Sequence, residues 1–203
     1  MINKVLKVLK DQLNVPLTEL HDIVVVDDIA KHDDGASNLG DKVVITLLNV
    51  QEESTLKNAS RYNKAQISTI PPKYEVKMES PRTYVNLYVM ISANRDSYEN
   101  ALSNISKVIE VLQANNVLNY EASSINPEDG DFDFSFRIEL HSIPFEQLSY
   151  VWGLLGGKVM PSVLYKISVV KITANKVPTD IVLIDDVNIQ SITVDKQKDG
   201  ITL

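Results

Sequence analysis

The side chains that could do chemistry in this chain are scattered. The three histidines, His21, His32 and His141, stand far apart, and none lies at a metal-ligand spacing from another. Zinc held without cysteine needs several converging histidines or carboxylates, and the chain has no cysteine. The histidines therefore read as surface or strand-end residues. The stretch Asp129-Gly130-Asp131-Phe132-Asp133 resembles an oxygen-rich calcium loop. It lacks the span of about twelve residues and the closing bidentate Glu of that motif. It reads instead as a turn running into a strand. Asp27-Asp28, Asp33-Asp34 and Asp185-Asp186 are acid pairs. Adjacent residues on a strand point to opposite faces, so a shared site is not expected of such a pair. Ser149, Ser162 and Ser168 have no nucleophile-elbow context. The Gly156-Gly157 pair is not followed by the rest of a phosphate loop and reads as a helix stop. No catalytic residue, cofactor site or metal site is expected.

The elements that would position these residues follow from periodicity. Ile2, Val5, Leu6, Leu9 and Leu13 recur at helical steps and predict an amphipathic helix over residues 2–13, ended by Pro16. Residues 22–28 and 42–51 are β-branched runs and read as strands. Between them, residues 31–41 are turn formers. Residues 52–72 lose all pattern and read as a long polar arm without secondary structure. Residues 83–93 are the strongest strand signal. Asp96 and Glu99 look like the cap of a helix over 97–114, with Tyr98, Ala101, Leu102, Ile105, Val108, Ile109 and Leu112 as its stripe. Residues 118–124 and 132–140 read as strands, the second alternating Phe134, Phe136 and Ile138 with Ser135, Arg137 and Glu139. Pro144 suits the first position of a helix whose apolar face is Phe145, Leu148, Val151, Trp152 and Leu155. Residues 162–172 form another strand. Residues 173–203 show further strand-like alternation and read as a C-terminal extension.

This order predicts an α+β domain, with a mostly antiparallel or mixed β-sheet and about three helices packed on a face of it. At 203 residues the chain is one domain or one domain with an extension. Such a chain buries roughly 70% of its unfolded surface, which is enough for a core without staples. The net charge of −7 and a pI near 5.0 argue against nucleic acid and anionic membrane as partners. Lys7, Lys10 and Asp11 interrupt any signal-peptide core, and no run approaches the roughly 20 apolar residues that span a bilayer. The expectation is a protein made in the cytoplasm and not inserted into a membrane.

One segment adds order to composition. Residues 145–170 read F-E-Q-L-S-Y-V-W-G-L-L-G-G-K-V-M-P-S-V-L-Y-K-I-S-V-V. This pattern, with Leu148, Ser149, Trp152, Pro161, Ser162 and Tyr165 at its fixed points, resembles the cap, or tail-terminator, proteins of phage-tail-like extracellular contractile injection systems. The amphipathic first helix, the valine-rich strand, the polar arm and the step Pro71-Pro72 before a long strand agree with it. The resemblance covers residues 1–172 and implies a tail-terminator-like domain, with 52–72 as its arm. The acidic loop 31–41 is longer than that pattern, and residues 173–203 have no part in it. Leu148, Trp152, Pro161 and Tyr165 read as a core signature that marks the fold, not a site.

The resemblance implies a structural role without catalysis. Such proteins form a ring, usually hexameric, that ends the inner tube and holds the last sheath layer. Their partners are their own copies, the tube protein and the sheath protein, and their place is an assembled particle. A phage tail-completion or baseplate adaptor would share this fold, and a small-molecule-binding domain is the remaining alternative. The residues expected to meet partners are Glu52, Lys57, Arg61, Tyr62 and Lys64 in the arm, and Ile181, Leu183 and Ile189 in the extension. A strand of that extension could add to a neighbour's sheet edge.

Overall fold

The computed structural model describes residues 1–16, 18–32, 34, 37–56, 62–69, 72–78, 82–122, 133–173 and 179–181. Helix α1, Ile2–Leu13, forms on the expected stripe, with Val5, Leu6, Leu9 and Leu13 buried. Lys10 stands in its last turn, where a cation meets the negative end of the helix dipole. Asn14 then anchors the chain ahead of it. Its Nδ2 donates to the Val24 carbonyl at 3.0 Å, and its Oδ1 accepts from the Val24 N–H at 3.1 Å. This two-way bond sets strand β1, Val24–Val26, beside the helix end.

Strand β1 is the edge of a six-stranded sheet. The others are β2 (Lys42–Glu52), β5 (Arg82–Asn94), β6 (Val117–Tyr120), β7 (Phe134–Leu140) and β8 (Ser162–Thr173). Their order across the sheet is β1-β2-β5-β8-β7-β6. β1 runs parallel to β2, and every other neighbouring pair is antiparallel. The sheet is thus mixed and the fold is α+β. The long strands β2, β5 and β8 are apolar on both faces, as buried central strands must be.

Alternation sorts their side chains. Val43, Ile45, Val89, Ile91, Tyr165 and Ile167 join a core built with α1 and with helix α2, Tyr98–Ala114. Val44, Met90 and Leu164 face the other way, toward helix α3, Phe145–Leu154. The three helices therefore lie on both faces, not on one. A strand with two apolar faces needs cover on each.

Two local details differ from the sequence reading. The α2 cap is Ser97, whose Oγ accepts from the Asn100 N–H at 3.5 Å, not Asp96. The apolar stripe of α2 is also narrower, because Tyr98, Leu102 and Ile109 are exposed while Ala101, Val108 and Leu112 are buried. Helical spacing admits a broad stripe, and the width of the contact with the sheet decides how much of it is covered.

Of the described residues, 62–69, 72–78 and 179–181 belong to a second compact unit and the others to the first. The second contains β3 (Tyr62–Thr69), β4 (Pro72–Met78) and β9 (Thr179–Ile181), in the order β3-β4-β9, all antiparallel. The arm over 52–72 is therefore not structureless. Its first residue ends β2, and most of its second half is a strand. Its polarity hid that strand, because backbone pairing, not side-chain alternation, makes a two-stranded ribbon. The units also divide the chain elsewhere than at residue 172, since part of the arm and the extension share one sheet.

Candidate interaction surface

Helix α3 is short and sharply bounded. Pro144, in extended conformation (φ −56°, ψ 147°), stands at its N-cap, one residue earlier than the expected first helical position. At the other end Gly156 and Gly157 take φ of +101° and +79°. The Gly157 N–H reaches back to the Trp152 carbonyl at 2.7 Å. This closes the helix in the left-handed geometry that glycine adopts without strain. The chain then crosses to β8 through Pro161, whose carbonyl accepts from the Ala93 N–H at 2.9 Å.

Of the core signature, Trp152 is buried among Ile29, Leu39, Val44, Met90 and Met160, and Leu148 is partly buried against the same cluster. Tyr165 is buried on the opposite face, and burial pushes its hydroxyl up to about 12, so it stays neutral. Pro161 is half-buried.

Much of the apolar surface of α3 stays exposed. Phe145 is 83% exposed, Tyr150 73%, Leu154 87% and, just beyond the helix, Val159 71%. Phe145 is thus exposed although its spacing sets it in line with the buried Trp152. The signal was present: Phe145, Leu148, Tyr150, Val151, Trp152, Leu154 and Leu155 surround the helix. One packed face covers an arc of about 100°, so such a helix must show apolar surface somewhere. Exposed apolar groups gathered on one element mark an interaction surface.

A groove lies beside this helix. β1 pairs with β2 only up to Val26 opposite Ile45, and the Asp27 N–H closes the ladder on the Ile45 carbonyl at 3.2 Å. Backbone pairing stops there, and the Thr46 side chain on β2 takes over the next polar groups of the chain as it turns. Thr46 Oγ1 donates to the Asp27 carbonyl at 2.8 Å and accepts from the Ile29 N–H at 3.1 Å. Asp28 caps the 3₁₀ turn Ile29–Lys31 by accepting from the Ala30 N–H at 3.0 Å. Among the described residues no strand pairs with the outer edge of β2 from Leu47 to Gln51. The space is about 550 Å³, walled by Leu6, Val26, Leu47, Leu48, Leu154 and Leu155, with Asp27 and Asp28 also lining it.

The residues expected to meet partners fall in several places. Glu52 is the exposed last residue of β2. Tyr62 and Lys64 lie on β3, opposite Met78 and Val76. Ile181 ends β9, opposite Val76. Lys57, Arg61, Leu183 and Ile189 lie outside the described residues. Next to Glu52 the structure builds a polar node. Glu53 accepts from Thr55 Oγ1 at 2.7 Å and from the Thr55 N–H at 3.2 Å through one oxygen, and from Asn86 Nδ2 at 2.7 Å through the other. These bonds, Thr55 first and then Asn86, hold its carboxyl down at about 2.

His21 sits 3.1 Å from the Asp22 carboxylate, His32 bonds the Ile29 carbonyl, and His141 packs edge-on against Tyr88. Among the described residues no three histidines or carboxylates gather as a metal site. No helix among them is long and apolar enough to cross a membrane. What the surface offers is apolar contact and backbone pairing.

A family model described as the Pvc16 N-terminal domain matches residues 4–184. The chain belongs to this family. Solved structures agree on the fold. One, described as the sheath/tube terminator of the PVC extracellular contractile injection system in its extended state, superposes with a TM-score of 0.58 at 17% identity, covering 98% of this chain and 65% of that one. The tube-terminating cap of the anti-feeding prophage superposes with a TM-score of 0.60 at 12% identity, covering 94% and 61%. The chain thus spans just under two thirds of each. No curated protein matches it.

Proposed function

We propose that the chain is a structural cap of a contractile injection particle, one that ends the inner tube and anchors the last sheath layer. The observation that carries this reading is the fold shared over nearly the whole chain with a sheath/tube terminator. The exposed apolar side of α3 supports it, because a protein that works by association needs apolar surface left over after folding. Its action is assembly and not catalysis. Copies associate head to tail through one repeated interface, which closes into a ring, hexameric in this reading, when the rotation allows. The protein is made in the cytoplasm and ends in the particle.

The test adds the purified chain to its own tube protein during polymerisation. Tube lengths should shorten as the chain is added, with the chain found at one tube end by gold labelling. Unchanged lengths and unlabelled ends would overturn the reading.

A further inference from the structure

We infer that the groove beside α3 receives an extended segment of a second copy, residues 187–194 of its C-terminal extension, added as a strand to the outer edge of β2. This rests on the ring reading above. Four observations support it.

The acceptor is a free sheet edge. Leu47–Gln51 offers about 16 Å of strand, enough to pair about five residues of the incoming segment, and it lies past the point where β1 stops pairing at Val26. Strand addition supplies affinity through main-chain bonds and specificity through the pockets alongside. The walls lie on both faces of the sheet. Leu6 and Leu47 stand on the α1 side, and Leu48, Leu154 and Leu155 on the α3 side.

The proposed occupant has matching apolar groups. In an extended chain Val187 and Ile189 would share one face, and Ile192 and Val194 the other. An ordinary amphipathic strand, apolar on one face only, would leave one wall uncovered. The charges also agree. Lys196 and Lys198 fall on the face of Ile192 and Val194, while Asp195 and Asp199 fall opposite. Asp27 and Asp28 mark the Ile45 end of the free edge, so the lysines reach them if the incoming strand runs antiparallel to β2.

The absence of native cysteine makes the test clean. Leu154→Cys is combined in turn with Ile189→Cys and with Ile192→Cys in the full chain, which is assembled and then oxidised. Non-reducing gels should show chains linked to one another with one of the two pairs, and each single variant should lack that ladder. Leu154→Glu, a change at an exposed site, should weaken self-association about tenfold or more, because the carboxylate would be buried in the joint, with unchanged circular dichroism.

Links only within one chain, no links with either pair, or self-association unaffected by Leu154→Glu would overturn the inference. So would linkage of the Leu154→Cys single variant to the sheath protein, which would give the groove another occupant. If the unsubstituted chain forms a ring and caps tubes while these links fail, this inference alone is lost. If it neither assembles nor caps, the functional reading is lost.

Discussion

The two faces of the central sheet use the same sequence device to different ends. On one face, α1 buries Val5, Leu6, Leu9 and Leu13 and turns lysines and Asp11 outward. On the other, α3 buries Trp152 and leaves Phe145, Tyr150 and Leu154 outside. Both helices look amphipathic by spacing. In α1 the apolar supply matches what the sheet can cover. In α3 it exceeds it, and the surplus lies beside an open strand edge. An apolar stripe is therefore a demand for burial that the chain's own fold need not meet.

That contrast can be broken by substitution. Trp152→Ala should cost about 3–5 kcal/mol through the cavity it leaves among Ile29, Val44 and Met90. Denaturant unfolding measures this, and an unchanged midpoint would place the indole outside the core. Paired with it, Leu9→Ala should cost about 2–5 kcal/mol, whereas Leu154→Ala should stay within about 0.5 kcal/mol in the isolated chain. Equal losses at the two positions would erase the difference between the faces.

Gly156→Ala should cost about 1–3 kcal/mol, since φ +101° strains an L residue and the new Cβ would stand 3.4 Å from the His32 ring. A neutral result would mean that the helix stop relaxes freely. The smallest effect is at Glu53. Its folded carboxyl titrates near 2 against an ordinary 4.5, so its contribution is complete above about 4.5 and is lost as the pH falls through about 2. The stability gap between the parent and Glu53→Gln should therefore narrow as the pH falls from 5 to 2. A gap independent of pH would remove the carboxylate from the account.

Much of the fold was legible. The bounds of α1 follow from its spacing, β5 from its β-branched run, and β7 from the alternation of Phe134, Phe136 and Ile138. The signature around Trp152, Pro161 and Tyr165 led to the family. The strand Tyr62–Thr69 was not legible, because its polar residues carry no alternating signal and only its pairing with Pro72–Met78 reveals it. Nor was the apolar outer side of α3 assigned. Its residues were in view, but spacing alone does not say which arc of a helix finds a neighbour.

The sequence by itself determined the class of the fold, the lack of any cysteine chemistry, the apolar supply of each helix and the family. These depend on residue type and on spacing along the chain, which are local. Tertiary structure decided which surplus stays exposed. It ended the pairing of β1 with β2 at Val26, where the Thr46 hydroxyl takes the Asp27 carbonyl, and it joined the arm and the extension in one sheet. Those outcomes depend on which backbone groups and faces meet across long stretches of chain, and periodicity carries no record of that.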